Sequence, residues 1–311
     1  MKIYENQYIS ENIKGCVLAL GNFDGAHKGH KMLLDKAKEY AENHGLSFGI
    51  YTFVKHPKVL GGKKHELLMT VQEKISFLDC ISGADFVYLE NFDDVKDFSP
   101  QTFVDYIIEK FDVKCTFCGE NFTFGKMACG DSTLLYSLMN EKKRESVVVE
   151  TLKVEEKTVS SSEIRRLLQE GKVETAAHLL CEPYGFTSQV VHGASLGKVL
   201  GFPTVNQHIP DEKIIPAFGV YSSVVIIDGK EYMGVTNIGV KPTVSQDERQ
   251  VLSETHIIDF KNDVYGKSIT VLLCKRLRGE QKFKSLSELT ENISYNVQQT
   301  KDYFKELKNE K

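Results

Sequence analysis

The stretch LALGNFDGAHKGHKMLL, Leu18–Leu34, decides how the N-terminal half is read. An apolar run stops at Gly21-Asn22, passes Gly25, and places His27 and His30 at the head of the next segment. A short apolar run bounded by turn residues is a buried strand, and the segment after the turn reads as a helix beginning near Lys28. Gly21 carries no Cβ, so backbone there can approach a ligand closely. The helix tip aims its free N–H groups and positive dipole end at the same place, which makes an anion site. His27 and His30 are three apart, hence neighbours on the first turn. Two imidazoles so placed can donate hydrogen bonds to phosphate oxygens. The competing reading is two surface histidines near a turn.

The same texture extends to about Glu150. CVLAL, SFGIYTF, DFVYLE, KCTFC and SVVVE read as buried strands, with amphipathic stretches between them. Thr70 precedes Glu73 by three, a capping-box pattern. Ser99-Pro100 opens another helix as N-cap followed by Pro at the first helical position. Strand–helix alternation implies a mostly parallel, Rossmann-like α/β sheet covered on both faces, with ligands bound beyond the carboxyl ends of its strands. Residues 160–180 read as two helices joined at Gly171. Past Pro183 come TSQVVHG, GVYSSVVIID, KEYMGVTNIG, ETHIIDF and SITVLLCKRL, strands in series with one terminal helix after them. This predicts a small antiparallel barrel or sandwich closed by that helix. Two domains are expected, 1–182 and 183–311, within the 311 residues.

Composition narrows the function classes. A net charge of −4 gives no global attraction to nucleic acid or anionic membrane. No apolar stretch approaches the ~18–20 residues that span a bilayer, and MKIYENQYISENIKG lacks a secretory h-region. A cytoplasmic location is the expectation. The seven cysteines form no disulfide framework. Cys115 and Cys118 make a lone C-x-x-C in a strand-like setting, where free Cys packs as a small hydrophobe. His192, His208 and His256 read as turn or packing residues.

GNFDGAHKGH resembles the HxGH signature of nucleotidyltransferases, in the form carried by bifunctional riboflavin kinase/FAD synthetases. VSSSEIRRLL is similar to that family's serine-rich helix start, TFVKHPK to its T-F-x-x-H-P stretch, and CGENFTFG to its G-x-[DN]-F-x-F-G loop. GASLGKVLGFPTVN, NIGVKPT, ETHIIDF and LRGEQKF resemble the flavokinase motifs. The resemblance implies adenylylation of FMN to FAD in the front half, with Gly21, Asn22, Phe23, His27, His30, Ser160, Ser161, Ser162 and Arg165 on ATP. Phe53, His56, Asn121, Phe122 and Phe124 would shape the FMN side. It implies phosphorylation of riboflavin in the back half, with Glu254 as general base. Gly193, Gly197, Lys198, Gly201, Thr204 and Asn206 would lie on ATP, and Asn237 and Arg278 on the flavin. Hydroxyl and amide oxygens of Thr204 and Asn206 suit a hard Mg²⁺ accompanying ATP. The expected partners are therefore ATP, riboflavin and FMN, with no nucleic acid or membrane; a homo-oligomer is left open. Ala128 and Glu182 depart from the family pattern, so two alternatives stand: one activity alone, or a flavin-binding regulator without catalysis. The retained His27, His30 and Glu254 speak against the regulator.

Overall fold

A computed structural model describes residues 1–5, 15–54, 67–192, 197, 200–240 and 251–309. Its contacts divide the chain into two compact units, Met1–Ser161 and Ser162–Lys311.

The first unit is built on a six-stranded parallel sheet. Its strands are β1 (Lys2–Glu5), β2 (Cys16–Leu20), β3 (Ser47–Phe53), β4 (Phe86–Glu90), β5 (Val113–Gly119) and β8 (Glu145–Val149). They lie in the order β1-β4-β3-β2-β5-β8. Two small antiparallel pairs stand apart from this sheet: β6 (Thr123–Phe124) with β7 (Gly130–Asp131), and β9 (Lys153–Val154) with β10 (Lys157–Thr158). Each central strand of the sheet is apolar on both faces, as burial on both sides requires. One face packs with α1 (Lys28–His44) and α2 (Val71–Ile81) through Leu34, Ile50 and Leu78. A single turn, α3 (Phe92–Val95), follows β4. The other face packs with α4 (Pro100–Phe111) and α5 (Ser132–Glu141) through Leu18, Tyr88 and Phe111. Side chains this deeply buried each contribute roughly 2 kcal/mol of apolar transfer. The helix starts follow the sequence signals: Thr70 and Glu73 form the full capping box, and Ser99 caps α4 ahead of Pro100. Cys115 and Cys118 lie inside β5, and burial pushes both thiols up to about 12, so they behave as small hydrophobes.

The second unit contains α6 (which begins at Ser161 and runs to Gln169), α7 (Val173–Leu179) and a closed antiparallel barrel. The barrel strands are β11 (Gly185–Val191), β12 (Thr204–His208), β13 (Gly219–Ile227), β14 (Lys230–Val240), β15 (Val251–Ile257) and β16 (Ser268–Arg278), in the order β11-β12-β15-β14-β13-β16. On one face of neighbouring strands Ser223, Thr236 and Thr255 link hydroxyl to hydroxyl at 2.7 and 2.9 Å, all fully buried. On the other face the C-terminal helix Leu286–Asn309 sets Val297 against Val220, Val235 and Ile258, and Thr300 meets Ser222 at 2.8 Å.

The α/β sheet and the barrel with its terminal helix agree with the sequence reading. Three features go beyond it. β1 is short and mostly exposed, β12 begins inside the glycine-rich segment, and β9 with β10 forms a small hairpin of mostly exposed residues. By contacts α6 and α7 count with the barrel: the Ala217 N–H donates to the Leu168 carbonyl at 3.0 Å, and α7 packs against β16.

Candidate functional site

In the first unit the carboxyl ends of β2, β3, β4 and β5 share one edge because the strands are parallel. Gly21 follows β2, Phe53 ends β3, and Asn121 and Phe122 follow β5. The turn from Gly21 to His27 is held from several directions. Asp24 Oδ1 accepts the Leu68 and Met69 N–H groups at 2.9 and 3.2 Å. Ser161 Oγ donates to the Asp24 carbonyl at 2.6 Å, which brings the V-S-S segment beside the turn. Gly25 adopts φ 91°, and a Cβ there would lie 2.5 Å from Leu68 Cδ1, so a side chain is excluded both by conformation and by space. Phe23 also has a left-handed φ, 48°, uncommon for a bulky residue. Its ring is 1 % exposed and packs edge-on to His30 at 5.1 Å, so burial holds the strained backbone in place.

His27 is the N-cap of α1 and only 6 % exposed. Its Nδ1 accepts the His30 N–H at 3.1 Å, so a neutral His27 ring carries its proton on Nε2. His30 Nδ1 lies 2.8 Å from the Gly25 carbonyl, which can only accept, so Nδ1 carries the proton there. The two rings stack with centroids 3.5 Å apart. Burial pushes His30 down to about 4, with the Gly25 carbonyl and Asp24 opposing and Lys74 adding to the depression. At neutral pH the His30 ring is therefore neutral, with its proton on Nδ1 and its lone pair on Nε2.

The remaining front-half residues divide in kind. Phe53 packs on Tyr51 and Phe92, with centroids 5.9 and 5.5 Å away. Phe122 stacks on Phe124 at 5.8 Å, and Phe124 is itself buried against Phe103 at 5.3 Å. Asn121 is exposed and Ser160 half-buried. Ser162 and Arg165 lie on α6 in the second unit. His56 lies outside the described residues.

In the barrel the strand register gathers residues far apart in sequence. Asn206 on β12 pairs with Glu254 on β15, Glu254 with Asn237 on β14, Asn237 with Val220 on β13, and Val220 with Arg278 on β16. Paired residues project to the same side of a sheet, so four of the five strands in this row carry a predicted residue on one face. Thr204, two residues before Asn206, shares that face. Asn206 is 3 % exposed, and its buried Oδ1 has no hydrogen-bond partner among the described residues. An unpaired buried amide oxygen on the same strand face as a hydroxyl and a carboxylate offers donor types suited to a hard divalent cation. Arg278 Nε donates to Asn296 Oδ1 at 3.1 Å, and its guanidinium lies 5.3 Å from the Phe283 ring centroid. Gly197 accepts the Phe202 N–H at 2.8 Å, and a Cβ on it would lie 3.3 Å from Thr204 Oγ1. Gly201 has φ 84° in an exposed turn. Gly193 and Lys198 lie outside the described residues. His256 Nδ1 donates to the Pro203 carbonyl at 2.9 Å, and His192 stacks on Tyr265, the packing roles expected of them.

Sequence reasoning misses three polar side chains at the front edge. Asp24 lies inside the quoted motif and has no role there by sequence alone. Glu90, buried at the end of β4, accepts the Tyr51 and Tyr106 hydroxyls at 3.1 and 2.6 Å, and Lys110 in turn donates to Tyr106 at 2.6 Å. Lys74 on α2 is buried beneath the Asn22 turn. The signal that could find them is a single polar residue interrupting an otherwise apolar strand end or helix face.

The FAD synthetase family model matches residues 9–163 and the riboflavin kinase model residues 180–304. A bifunctional riboflavin kinase/FMN adenylyltransferase of Bacillus subtilis is 36% identical over 310 residues, covering 98% of each chain. The protein of the same description from Escherichia coli K12 is 33% identical, covering 94% of this chain and 93% of its own. A crystal structure described as a macrolide-efflux protein from Streptococcus pneumoniae superposes with a TM-score of 0.87 at 28% identity, covering 97% of this chain and 99% of that one. Among the described residues no helix is long and apolar enough to cross a membrane.

Proposed function

The chain belongs to the bifunctional riboflavin kinase/FMN adenylyltransferase family, and from that premise we propose how its residues divide the work. The protein phosphorylates riboflavin to FMN and adenylylates FMN to FAD, using ATP in both steps. We assign adenylylation to residues 1–182 and phosphorylation to residues 183–311, a division supported by the ranges that the two family models match. Both reactions are assigned to the cytoplasm.

In adenylyl transfer a phosphate oxygen of FMN attacks the α-phosphorus of ATP. The bond from that phosphorus to the α–β bridging oxygen breaks, and its electron pair leaves with pyrophosphate. No enzyme nucleophile is required, so the protein acts by positioning and by charge stabilisation. His27 donates from Nε2 to a phosphate oxygen. His30 becomes a second donor once it takes up a proton in the field of the triphosphate. The backbone of Gly21, Asn22 and Phe23 approaches ATP, with Ser160, Ser161, Ser162 and Arg165 as further phosphate ligands. Phe53, His56, Asn121 and Phe122 form the flavin side, and the buried Phe124 supports it from behind.

In phosphorylation the ribityl 5′-hydroxyl of riboflavin attacks the γ-phosphorus. Glu254 takes the hydroxyl proton and ADP leaves with the bridging oxygen. Gly193, Gly197, Lys198 and Gly201 wrap the phosphates, while Asn237 and Arg278 orient the flavin. Thr204 and Asn206 would hold Mg²⁺, which when bound neutralises triphosphate charge. The observation that carries this half is the row Asn206–Glu254–Asn237–Arg278 on one barrel face, with the orphaned Asn206 oxygen beside the carboxylate strand.

The test is incubation of the full chain with riboflavin and Mg-ATP, followed by chromatography. FMN and FAD accumulating together supports the assignment. FMN alone leaves only the kinase half standing, and neither product leaves only flavin binding.

A further inference from the structure

We propose that Lys74 is a positioning residue for adenylyl transfer: its buried ammonium holds the Asn22 turn and the Phe53 strand end in one frame and keeps a fixed positive charge beneath the anion site. The inference rests on the assignment of adenylyl transfer to residues 1–182.

Lys74 sits on α2 and is 8 % exposed. Its Nζ donates to the Phe53 carbonyl at 2.7 Å, to Thr52 Oγ1 at 3.2 Å and to the Asn22 carbonyl at 3.4 Å. Thr52 Oγ1 in turn donates to the same Asn22 carbonyl at 3.1 Å. Asn22 belongs to the residues assigned to ATP and Phe53 to those assigned to FMN, so one side chain joins the frames of both substrates. All three acceptors are neutral. The charged and titratable groups that act on Lys74 are Asp24, whose Oδ1 is engaged by the Leu68 and Met69 amides, and His30. Glu73, its neighbour on α2, caps the helix start at Thr70.

A buried ammonium bonded only to neutral oxygens is costly. Burial pushes Lys74 down to about 8, with Asp24 opposing. If packing were its only role, methionine would fill the same space without that cost. The arrangement makes physical sense where anions arrive, because a preorganised charge in a water-poor site acts more strongly than one in solvent.

The experiment measures kcat/KM for Mg-ATP in FMN adenylylation from about pH 6 to pH 9.5 on the full chain, with riboflavin phosphorylation by the same preparations as reference. The unmodified protein should lose adenylylation roughly tenfold per pH unit above about pH 8 as the ammonium deprotonates, while phosphorylation lacks that limb. Lys74→Met should lower adenylylation at pH 7 by roughly tenfold or more, chiefly in kcat, and abolish the alkaline limb. Thr52→Val keeps the ammonium but removes an acceptor, so its limb should move to lower pH; this variant decides the matter if Lys74→Met does not fold. A limb missing from the unmodified protein, retained in Lys74→Met or unmoved in Thr52→Val overturns the proposal. If the unmodified chain makes FMN but no FAD, the assignment of adenylylation falls and takes this inference with it.

Discussion

Acidification tests the environment assigned to His30. The folded ring sits at about 4 against 6.5 for an ordinary histidine, because burial opposes its charge. Between those values the unfolded chain binds more protons than the folded one, so stability falls as pH falls. The contribution is fully present above pH 6.5 and is lost on the way down to pH 4. At pH 5 the unfolded imidazole is almost wholly protonated and the folded one almost wholly neutral. The two titrations then differ by about 1.5 decades, or about 2 kcal/mol at ~1.4 kcal/mol per decade. The ring is half-buried, so solvent screening makes this an upper figure. His30→Asn is the matched control: its amide N–H can still reach the Gly25 carbonyl but does not titrate. Hydrogen exchange of the fully buried β2 segment Cys16–Leu20 reports opening of the first unit. From pH 7.5 to pH 5 the unmodified protein should lose up to about 30-fold more protection there than His30→Asn, with both compared at each pH so that intrinsic rates cancel. Equal losses in the two proteins would refute the buried, neutral ring, and with it the need for proton uptake on nucleotide binding.

Three other outcomes rest on the geometry. Glu254→Gln should lower kcat for riboflavin phosphorylation by roughly 10²–10⁴-fold, yet still convert added FMN to FAD, as read by chromatography of the two flavins. His27→Ala should do the reverse, removing the Nε2 donor and the α1 cap together and costing roughly 10²-fold in FAD formation while FMN formation persists. Gly49→Ala should destabilise the first unit by about 1–3 kcal/mol, since a Cβ there would lie 2.1 Å from Phe86 Cζ. The loss would show as a lowered Tm for that unit and an unchanged one for the barrel.

Much of this architecture is legible locally. CVLAL and SFGIYTF are short apolar runs ending in turn residues, Thr70 and Glu73 are spaced as a cap, and His27 and His30 sit where a strand gives way to a helix. None of these needs knowledge of a distant segment. The barrel row is different. That Asn206, Glu254, Asn237 and Arg278 share one level depends on four strand registers, and a one-residue slip in any of them would turn a side chain to the opposite face. Motif likeness names those residues, but their spacing cannot join them. The start of TVNQH reads as part of a phosphate loop because Gly201 and Pro203 dominate its approach, while its pairing with β15 fixes it as a strand. Lys74 is harder to read from the sequence for a similar reason. On an amphipathic helix a lysine ordinarily faces water, and only the packing of α2 on the sheet turns this one inward.

The front site depends more on its main chain than on its histidines. The carbonyls of Asn22, Asp24 and Gly25 each accept a hydrogen bond from a side chain on a different segment: Lys74 and Thr52 for the first, Ser161 for the second, His30 for the third. A planar trans peptide sets its N–H opposite its carbonyl. Holding these three oxygens therefore fixes the peptide planes that carry the Phe23, Gly25 and Ala26 amides. The left-handed backbone at Phe23 and Gly25 fits this arrangement, because residues that depart from extended conformation can bring neighbouring N–H groups to one side. His27 and His30 follow this turn at the start of α1. Each ring commits one nitrogen to that backbone, His27 to the His30 amide and His30 to the Gly25 carbonyl. Both histidines are thus structural parts of the turn, and the strain at Phe23 is offset by the ring it buries against His30.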